Sequence, residues 1–214
     1  MKTEQLIDLL STNLEPVDTH KVVRSLWIAT VAGLVLASLT CIVTLGVRPD
    51  LNNPGVLGFL FVKIGFAAVV SILGWRLLYK HTRPGAENHS QIFLTGVPFV
   101  ALLALAAVNL ILVPASHWGH LVTGERLLQC LLSIPIMAVV PFAVIVWAVR
   151  NAAPTNLLRT GALAGLVAGG IGAMAYALHC PNDSLPFVAF WYGGTIVLCA
   201  LAGAALGPRL LRWR

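Results

Sequence analysis

Charged residues are scarce in this 214-residue chain, and that scarcity decides its broad class. Only 10% of the residues are charged, whereas 58% are hydrophobic and the mean hydropathy is +0.86. Because soluble domains carry about 25% charged residues, the composition excludes a soluble domain built around its own core. It predicts a membrane protein instead.

Motifs for catalysis and for tightly bound metals are also missing from the sequence. The four cysteines form no CxxC pair, and no HExxH segment occurs. No nucleophile and base, and no pair of carboxylates, share one membrane level, so we do not expect an enzyme. The net charge of +6 comes from basic residues scattered at the ends of apolar runs, which excludes direct nucleic-acid binding through a basic patch.

Long apolar runs are abundant, and six of them reach the roughly 20 residues that a bilayer-spanning helix needs. The runs cover residues 25–47, 57–79, 92–114, 127–149, 157–178 and 187–207. They predict an all-α fold, a polytopic bundle of six transmembrane helices surrounded by the lipid bilayer. We divide the chain into a cytoplasmic amphipathic N-terminal segment, 1–24, and a six-helix transmembrane domain, 25–214.

The basic residues orient this bundle. If the N-terminus is cytoplasmic, eleven lysines and arginines fall on the inner side, and only Arg48 and Arg126 fall on the outer side. This asymmetry satisfies the positive-inside rule and places both termini in the cytoplasm. Lys63 is the one charged residue well inside a run. With no acidic residue inside any run to pair with it, we expect its amine to extend to the outer interface.

The residues that could react or bind a metal ion lie mainly at the predicted outer side. Cys180 ends the fifth run beside His179, and Cys130 lies about one turn into the fourth run at the same level, so we place both thiols near water. Two such cysteines could form a disulfide or ligate a transition metal. His117 and His120 complete a candidate metal set with Cys130 and Cys180. We expect no permanent cofactor, only transient metal binding as a signal.

Several other residues have a structural interpretation. Asp183 or Ser184 is expected to cap the sixth helix. Glycines at 161, 165 and 169 in the fifth run, and at 203 and 207 in the sixth, predict close contact between those two helices. Cys41 and Cys199 are expected to pack as small hydrophobic residues.

The first residues, "MKTEQLIDLLSTNL", predict an amphipathic helix outside the membrane. Its apolar stripe consists of Leu6, Ile7, Leu9, Leu10 and Leu14. The polar side is acidic, which suits a protein groove better than an anionic lipid surface. The other interpretation is a helix that packs on its own bundle.

Five segments together resemble the NrsF-type membrane anti-sigma factors, which are negative regulators of sigma-F-like extracytoplasmic-function (ECF) sigma factors. They are "MKTEQLIDLL" at the start, "RPD" at 48–50, Cys130, "HCPNDSLPFVAFWY" at 179–192 and "GPRLLRW" at 207–213. The resemblance implies a multi-pass inner-membrane protein that sequesters an ECF sigma factor at its cytoplasmic face. It further implies release under heavy-metal or oxidative stress, sensed at two outward-facing cysteines, here Cys130 and Cys180.

His179 joins these two cysteines in our sensor hypothesis, as a neighbour that tunes the Cys180 thiol. Metal ligation, disulfide formation and thiol oxidation all remain open as the triggering event. The alternative function is a small membrane transporter or exporter, for metal ions for example. A transporter would need polar residues spaced through several helices.

The orientation leads to a first testable prediction. Reporter fusions after Lys80, after Arg150 and at the C-terminus should report a cytoplasmic position, whereas fusions near Asn53 and His120 should report an external one. The physical reason is the eleven-to-two distribution of basic residues. An external C-terminus would contradict the orientation and every assignment of a residue to the outer side.

Overall fold

The computed structural model describes residues 19–82, 89–124, 127–150, 152, 154 and 156–212. Within this part of the chain the regular structure is entirely helical, and six helices are long and apolar enough to cross a membrane. The predicted all-α fold, with six helices long and apolar enough to cross a membrane, is therefore confirmed for the described residues. The predicted leucine stripe of the N-terminal segment lies outside the described residues.

The six long helices match the six apolar runs closely. They are α1 (Thr19–Thr44), α2 (Pro54–His81), α3 (Val97–Leu112), α4 (Leu127–Arg150), α5 (Leu157–Ala177) and α6 (Leu185–Leu210). A short helix, Trp118–Thr123, lies between α3 and α4, and α6 contains a π-helical turn at Val188–Tyr192. The first helix begins at Thr19, within the segment that we expected to precede the membrane domain.

α5 is the most deeply buried helix of the bundle, and its small residues make that possible. Sixteen of its 21 residues are buried. A Cβ atom added at Gly161 would collide with the Gly203 carbonyl oxygen, and one at Gly165 would collide with the Cys199 carbonyl oxygen. The predicted glycine contact between the fifth and sixth helices is confirmed, and it brings the two backbones together.

Two further glycines let α2 and α4 approach α5 closely as well. A Cβ atom at Gly170 would lie 3.0 Å from the Ala67 carbonyl oxygen of α2. One at Gly172 would lie 2.6 Å from the Ile134 carbonyl oxygen of α4. Since α2, α4 and α6 all pack on α5, the chain that leaves the end of α5 at Ala177 starts from a firmly held position.

An aromatic group marks the opposite end of the bundle, which the orientation prediction assigns to the cytoplasm. The Trp27 and Trp75 ring centroids are 4.8 Å apart, and the Trp75 and Tyr79 centroids are 5.9 Å apart. Amphipathic rings favour the membrane–water boundary. The tilted contact between Trp27 and Trp75 joins α1 to α2.

Candidate functional site

Three of the segments that connect the helices lie together at one end of the bundle, called here the Cys180 end. It is formed by residues 45–53, 113–124 and 178–184. Gly46 adopts a left-handed conformation with φ of 76° and turns the chain after α1, as glycine does at many helix ends. The Arg48 backbone N–H then donates to the Leu178 carbonyl at 3.1 Å, which joins the first and last of these segments.

Four charged side chains at this end form what we call the charge cluster: Arg48, Asp50, Lys63 and Asp183. The Arg48 guanidinium makes two bidentate pairs, with Nε and Nη2 at 2.7 and 2.8 Å from Asp50, and Nη1 and Nη2 at 3.0 and 2.8 Å from Asp183. The Lys63 ammonium donates to Asp183 Oδ1 at 2.7 Å. Two cations and two carboxylates make the cluster neutral, and bidentate geometry strengthens it.

Lys63 does not extend to the interface as the sequence suggested, so that prediction was wrong. Its side chain is 0% exposed, and the Arg48 side chain is only 2% exposed. The physical reason is that Asp183, from a connecting segment rather than from a helix, supplies the counter-charge at that depth. A buried ammonium is tolerated when it is paired and hydrogen-bonded.

Both buried cations also bind the main chain of Cys180. Arg48 Nη1 donates to the Cys180 carbonyl oxygen at 3.0 Å, and Lys63 Nζ donates to the same oxygen at 3.1 Å. This carbonyl lies beyond the last turn of α5, where no further helical turn can satisfy it. The charge cluster therefore fixes the backbone of Cys180.

The ionisation of the cluster follows from its geometry. Burial opposes ionisation of Asp183, but the hydrogen bonds and charges of Arg48 and Lys63 outweigh burial and hold its pKa below the usual value. The hydrogen bond from Arg48 lowers the pKa of Asp50 as well. A lowered pKa in the folded state means that the stabilisation is complete above the ordinary carboxyl pKa of about 4 and is lost only as the pH falls below it. Both carboxylates are therefore ionised at neutral and mildly acidic pH.

The expected capping of the sixth helix is also wrong. The Ser184 backbone does precede α6, but its side chain makes no capping hydrogen bond. Its hydroxyl instead donates to the Leu121 carbonyl at 2.8 Å, and Trp191 Nε1 donates to the Val122 carbonyl at 2.7 Å. These bonds hold the short helix Trp118–Thr123 against the start of α6, while Asp183 is occupied by Arg48 and Lys63.

Cys130 and Cys180 come together beside the charge cluster, and we call them the thiol pair. Both are free and 0% exposed, and they lie near each other and near Tyr192 of α6. The residues that precede the two cysteines in sequence are in contact with each other: Gln129 Nε2 lies 3.1 Å from His179 Nε2. The expectation that these thiols lie at the water interface is wrong, since the packing of α4, α5 and α6 covers them.

A buried tyrosine completes the surroundings of the thiol pair. The Tyr192 side chain is 0% exposed, and its hydroxyl interacts with the Cys180 thiol. The contact falls short of regular hydrogen-bond geometry, and the hydroxyl has no other partner among the described residues. The Tyr176 ring centroid lies 6.2 Å from that of Tyr192 and 6.0 Å from that of His179. The thiols therefore sit in an aromatic compartment that is closed to bulk solvent.

His179 binds two other segments with its ring nitrogens. In addition to the contact with Gln129, its Nδ1 lies 3.2 Å from the Gly46 carbonyl oxygen. With the Gln129 amide donating to Nε2, the ring proton on Nδ1 donates to Gly46. The histidine thus joins the segment after α1 to α4, and its effect on the Cys180 thiol stays a prediction.

The four candidate metal ligands are not gathered in this structure. His117 and His120 are exposed on the short segment before α4, whereas Cys130 and Cys180 are buried. Among the described residues, no three side chains of His, Cys, Asp or Glu form a group that could hold a metal ion. His120 lines a cavity of about 270 Å³ that also borders Asp183. A shared site would need the thiol pair to open toward this cavity.

Cys41 and Cys199 have the packing roles expected of them. Cys41 is 0% exposed within the apolar core. The Cys199 side chain packs on Gly169, where a glycine Cβ atom would lie 2.8 Å from the Cys199 Cβ.

Sequence reasoning missed the roles of Arg48, Asp183 and Tyr192. A usable signal was present, because a lysine within an apolar run requires an acidic partner, and Asp183 is one of the few acids predicted on the same side. The "RPD" segment likewise offers a cation and a carboxylate two residues apart. Tyr192 gave no signal, since its approach to Cys180 depends on the tertiary packing of α6.

The fold and the site define a class, namely a multi-pass helical membrane protein with a buried thiol pair at one end. A family model described as "Negative regulator of sigma F" matches residues 10–213. The chain belongs to this family, NrsF, as the sequence resemblance implied. It is 32% identical to the "Probable anti-sigma-F factor NrsF" of Azospira oryzae and 31% identical to the "Anti-sigma-F factor NrsF" of Caulobacter vibrioides, over the full length of each chain. No solved structure gave a significant match.

Burial of the thiol pair leads to a second prediction. In nanodiscs, a membrane-impermeant maleimide should leave Cys130 and Cys180 unlabelled, because neither thiol is exposed. Ser116→Cys, at an exposed position, should react readily. Mass spectrometry of the labelled peptides provides the measurement, and denaturation should make both native thiols reactive. Rapid labelling of native Cys180 would contradict the buried arrangement.

Proposed function

We propose that this protein is an inner-membrane anti-sigma factor that sequesters a sigma-F-like ECF sigma factor at its cytoplasmic face. Release follows when heavy metal or oxidant reacts at Cys130 and Cys180. Membership of the family of negative regulators of sigma F supports the regulatory role over a transport role. The structural observation that carries the sensing part is the pairing of these two thiols, from α4 and from the end of α5, in one buried compartment.

The thiol pair has the composition that the proposed trigger requires. Formation of a disulfide would join the two sulfur atoms and pass two electrons to the oxidant, with loss of both thiol protons. A soft metal ion would instead bind the two thiolates, again with loss of both protons. Either product changes the volume, charge and geometry of a buried compartment, and closely packed interiors respond to such changes by moving between discrete arrangements.

The N-terminal segment is the proposed contact for sigma. Its apolar stripe, Leu6, Ile7, Leu9, Leu10 and Leu14, fits a groove in a protein partner. It leads directly into α1, and α1 ends at the segment that carries Gly46 and Arg48. A change at the Cys180 end could therefore reach the start of α1, which follows the stripe in sequence. A difference in sigma affinity of about 2–3 kcal/mol between the two states would give roughly 30- to 150-fold release.

The sigma contact can be tested by substitution within the stripe. Leu6→Asp with Leu10→Asp should weaken co-purification of the sigma factor about tenfold or more, because an unpaired carboxylate is costly in an apolar contact. Gln5→Asp with Thr12→Asp is the matched control, since it adds the same charge off the stripe. Membrane accumulation of both proteins should be unchanged. Undiminished capture by the stripe variant would move the contact to another cytoplasmic segment.

The thiol pair can be tested with a sigma-dependent reporter in cells. Cys130→Ser and Cys180→Ser should each prevent normal induction by metal or oxidant. The double variant should be no worse than either single variant, because both break the same unit. Cys41→Ser with Cys199→Ser should leave induction nearly normal. Persistent release of sigma by the double variant would refute the thiol pair as the sensor.

A further inference from the structure

The charge cluster holds Cys180 by its main chain rather than by its thiol. The Cys180 carbonyl oxygen accepts hydrogen bonds from Arg48 at 3.0 Å and from Lys63 at 3.1 Å. Asp183, three residues later, binds the same two cations at distances between 2.7 and 3.0 Å. Residues 180–183 are therefore clamped at both ends to one pair of cations.

The two cations belong to separate elements of the fold. Arg48 lies in the segment between α1 and α2, and Lys63 lies within α2. Without Asp183, the only carboxylate left in the cluster is Asp50, which contacts Arg48 and is 43% exposed. Lys63 would then be a buried cation with no counter-charge in direct contact. A buried ion pair that loses one partner is strongly destabilised, because the remaining charge stays away from water.

We propose that Asp183 is the positioning residue of the thiol pair: its charge keeps Cys180 buried by clamping residues 180–183 to Arg48 and Lys63. When this clamp is lost, the segment lifts from the bundle and the Cys180 thiol meets water. The consequence for sigma release rests on the proposed function, whereas the placement of Cys180 does not.

The clamp also couples Cys180 to the opposite end of the bundle through α2. Lys63 is 18 residues before His81, the last residue of α2, which corresponds to about 27 Å along a helix. The far part of α2 carries Trp75, whose ring packs at a tilt against Trp27 of α1. A displacement of residue 180 therefore bears on Lys63, on α2 and on the aromatic contact between α1 and α2 at the opposite end.

The test compares Asp→Asn substitutions at two carboxylates that both pair with Arg48. Asp183→Asn should speed maleimide labelling of Cys180 in nanodiscs by about tenfold or more, because it strands the buried Lys63 charge. Asp50→Asn is the matched control, since Asp50 pairs with Arg48 but makes no hydrogen bond to Lys63. It should label at close to the wild-type rate. Labelled peptides are identified by mass spectrometry, so the native cysteines stay in place.

A charge-balanced variant separates positioning from general damage. Lys63→Met combined with Asp183→Asn removes one charge of each sign, and replacing a buried ion pair with an apolar side chain is often tolerated. It should label more slowly than Asp183→Asn alone. If Asp183→Asn does not accumulate in membranes, Lys63→Met alone tests the clamp, because it removes one of the two donors to Cys180. It should label faster than Asp50→Asn.

Two results would overturn the proposal. The first is labelling of Cys180 at the slow wild-type rate in both Asp183→Asn and Lys63→Met. The second is equally fast labelling in Asp50→Asn, which would assign the effect to the whole connecting segment. A sigma-dependent reporter is read in parallel and should rise without inducer in Asp183→Asn. If the wild-type protein retains no sigma factor, the proposed function fails, while the labelling rates still decide the role of Asp183.

Discussion

Two cations buried at one end of an otherwise apolar bundle impose the constraint on which the rest of the site depends. Arg48 and Lys63 can remain away from water because Asp183 binds both of them, while the more exposed Asp50 pairs with Arg48 alone. Pairing of this kind requires good geometry, since desolvation costs each ion several kcal/mol. The segment around Cys180 consequently has one well-defined position, and the helices that supply its partners cannot shift independently of it.

The close packing of α5 makes that constraint effective. If α5 could slide against its neighbours, the charge cluster could follow it without strain. Gly161 and Gly165 let the backbone of α6 approach, and Gly172 does the same for α4, so the exit of α5 toward Cys180 is held on several sides. Interfaces of small residues pack by van der Waals contact, and they do not deform smoothly. A local change at residue 180 is therefore passed to neighbouring helices and is not absorbed in place.

The sequence was informative about the fold and less so about the site. Hydropathy predicted six helices close to their observed bounds, because bilayer thickness sets their length. It also brought Cys130 and Cys180 to one level. It failed for Lys63 and Asp183, since each was interpreted within its own segment: an amine near a helix end, and a carboxylate before a helix. Their pairing is a tertiary contact across 120 residues, which periodicity and capping rules do not describe.

Burial of the thiols has a consequence for any signal that acts on them. In the proposed mechanism, metal or oxidant reacts only with the fraction of molecules in which Cys180 is open, so the apparent affinity is the intrinsic affinity reduced by that fraction. A site open in one molecule in a hundred would thus need about 100-fold more ligand. The charge cluster sets that fraction, because opening must separate Asp183 from two cations. The threshold of the response would then be fixed by Arg48, Lys63 and Asp183, whereas its chemical selectivity would be fixed by the thiols.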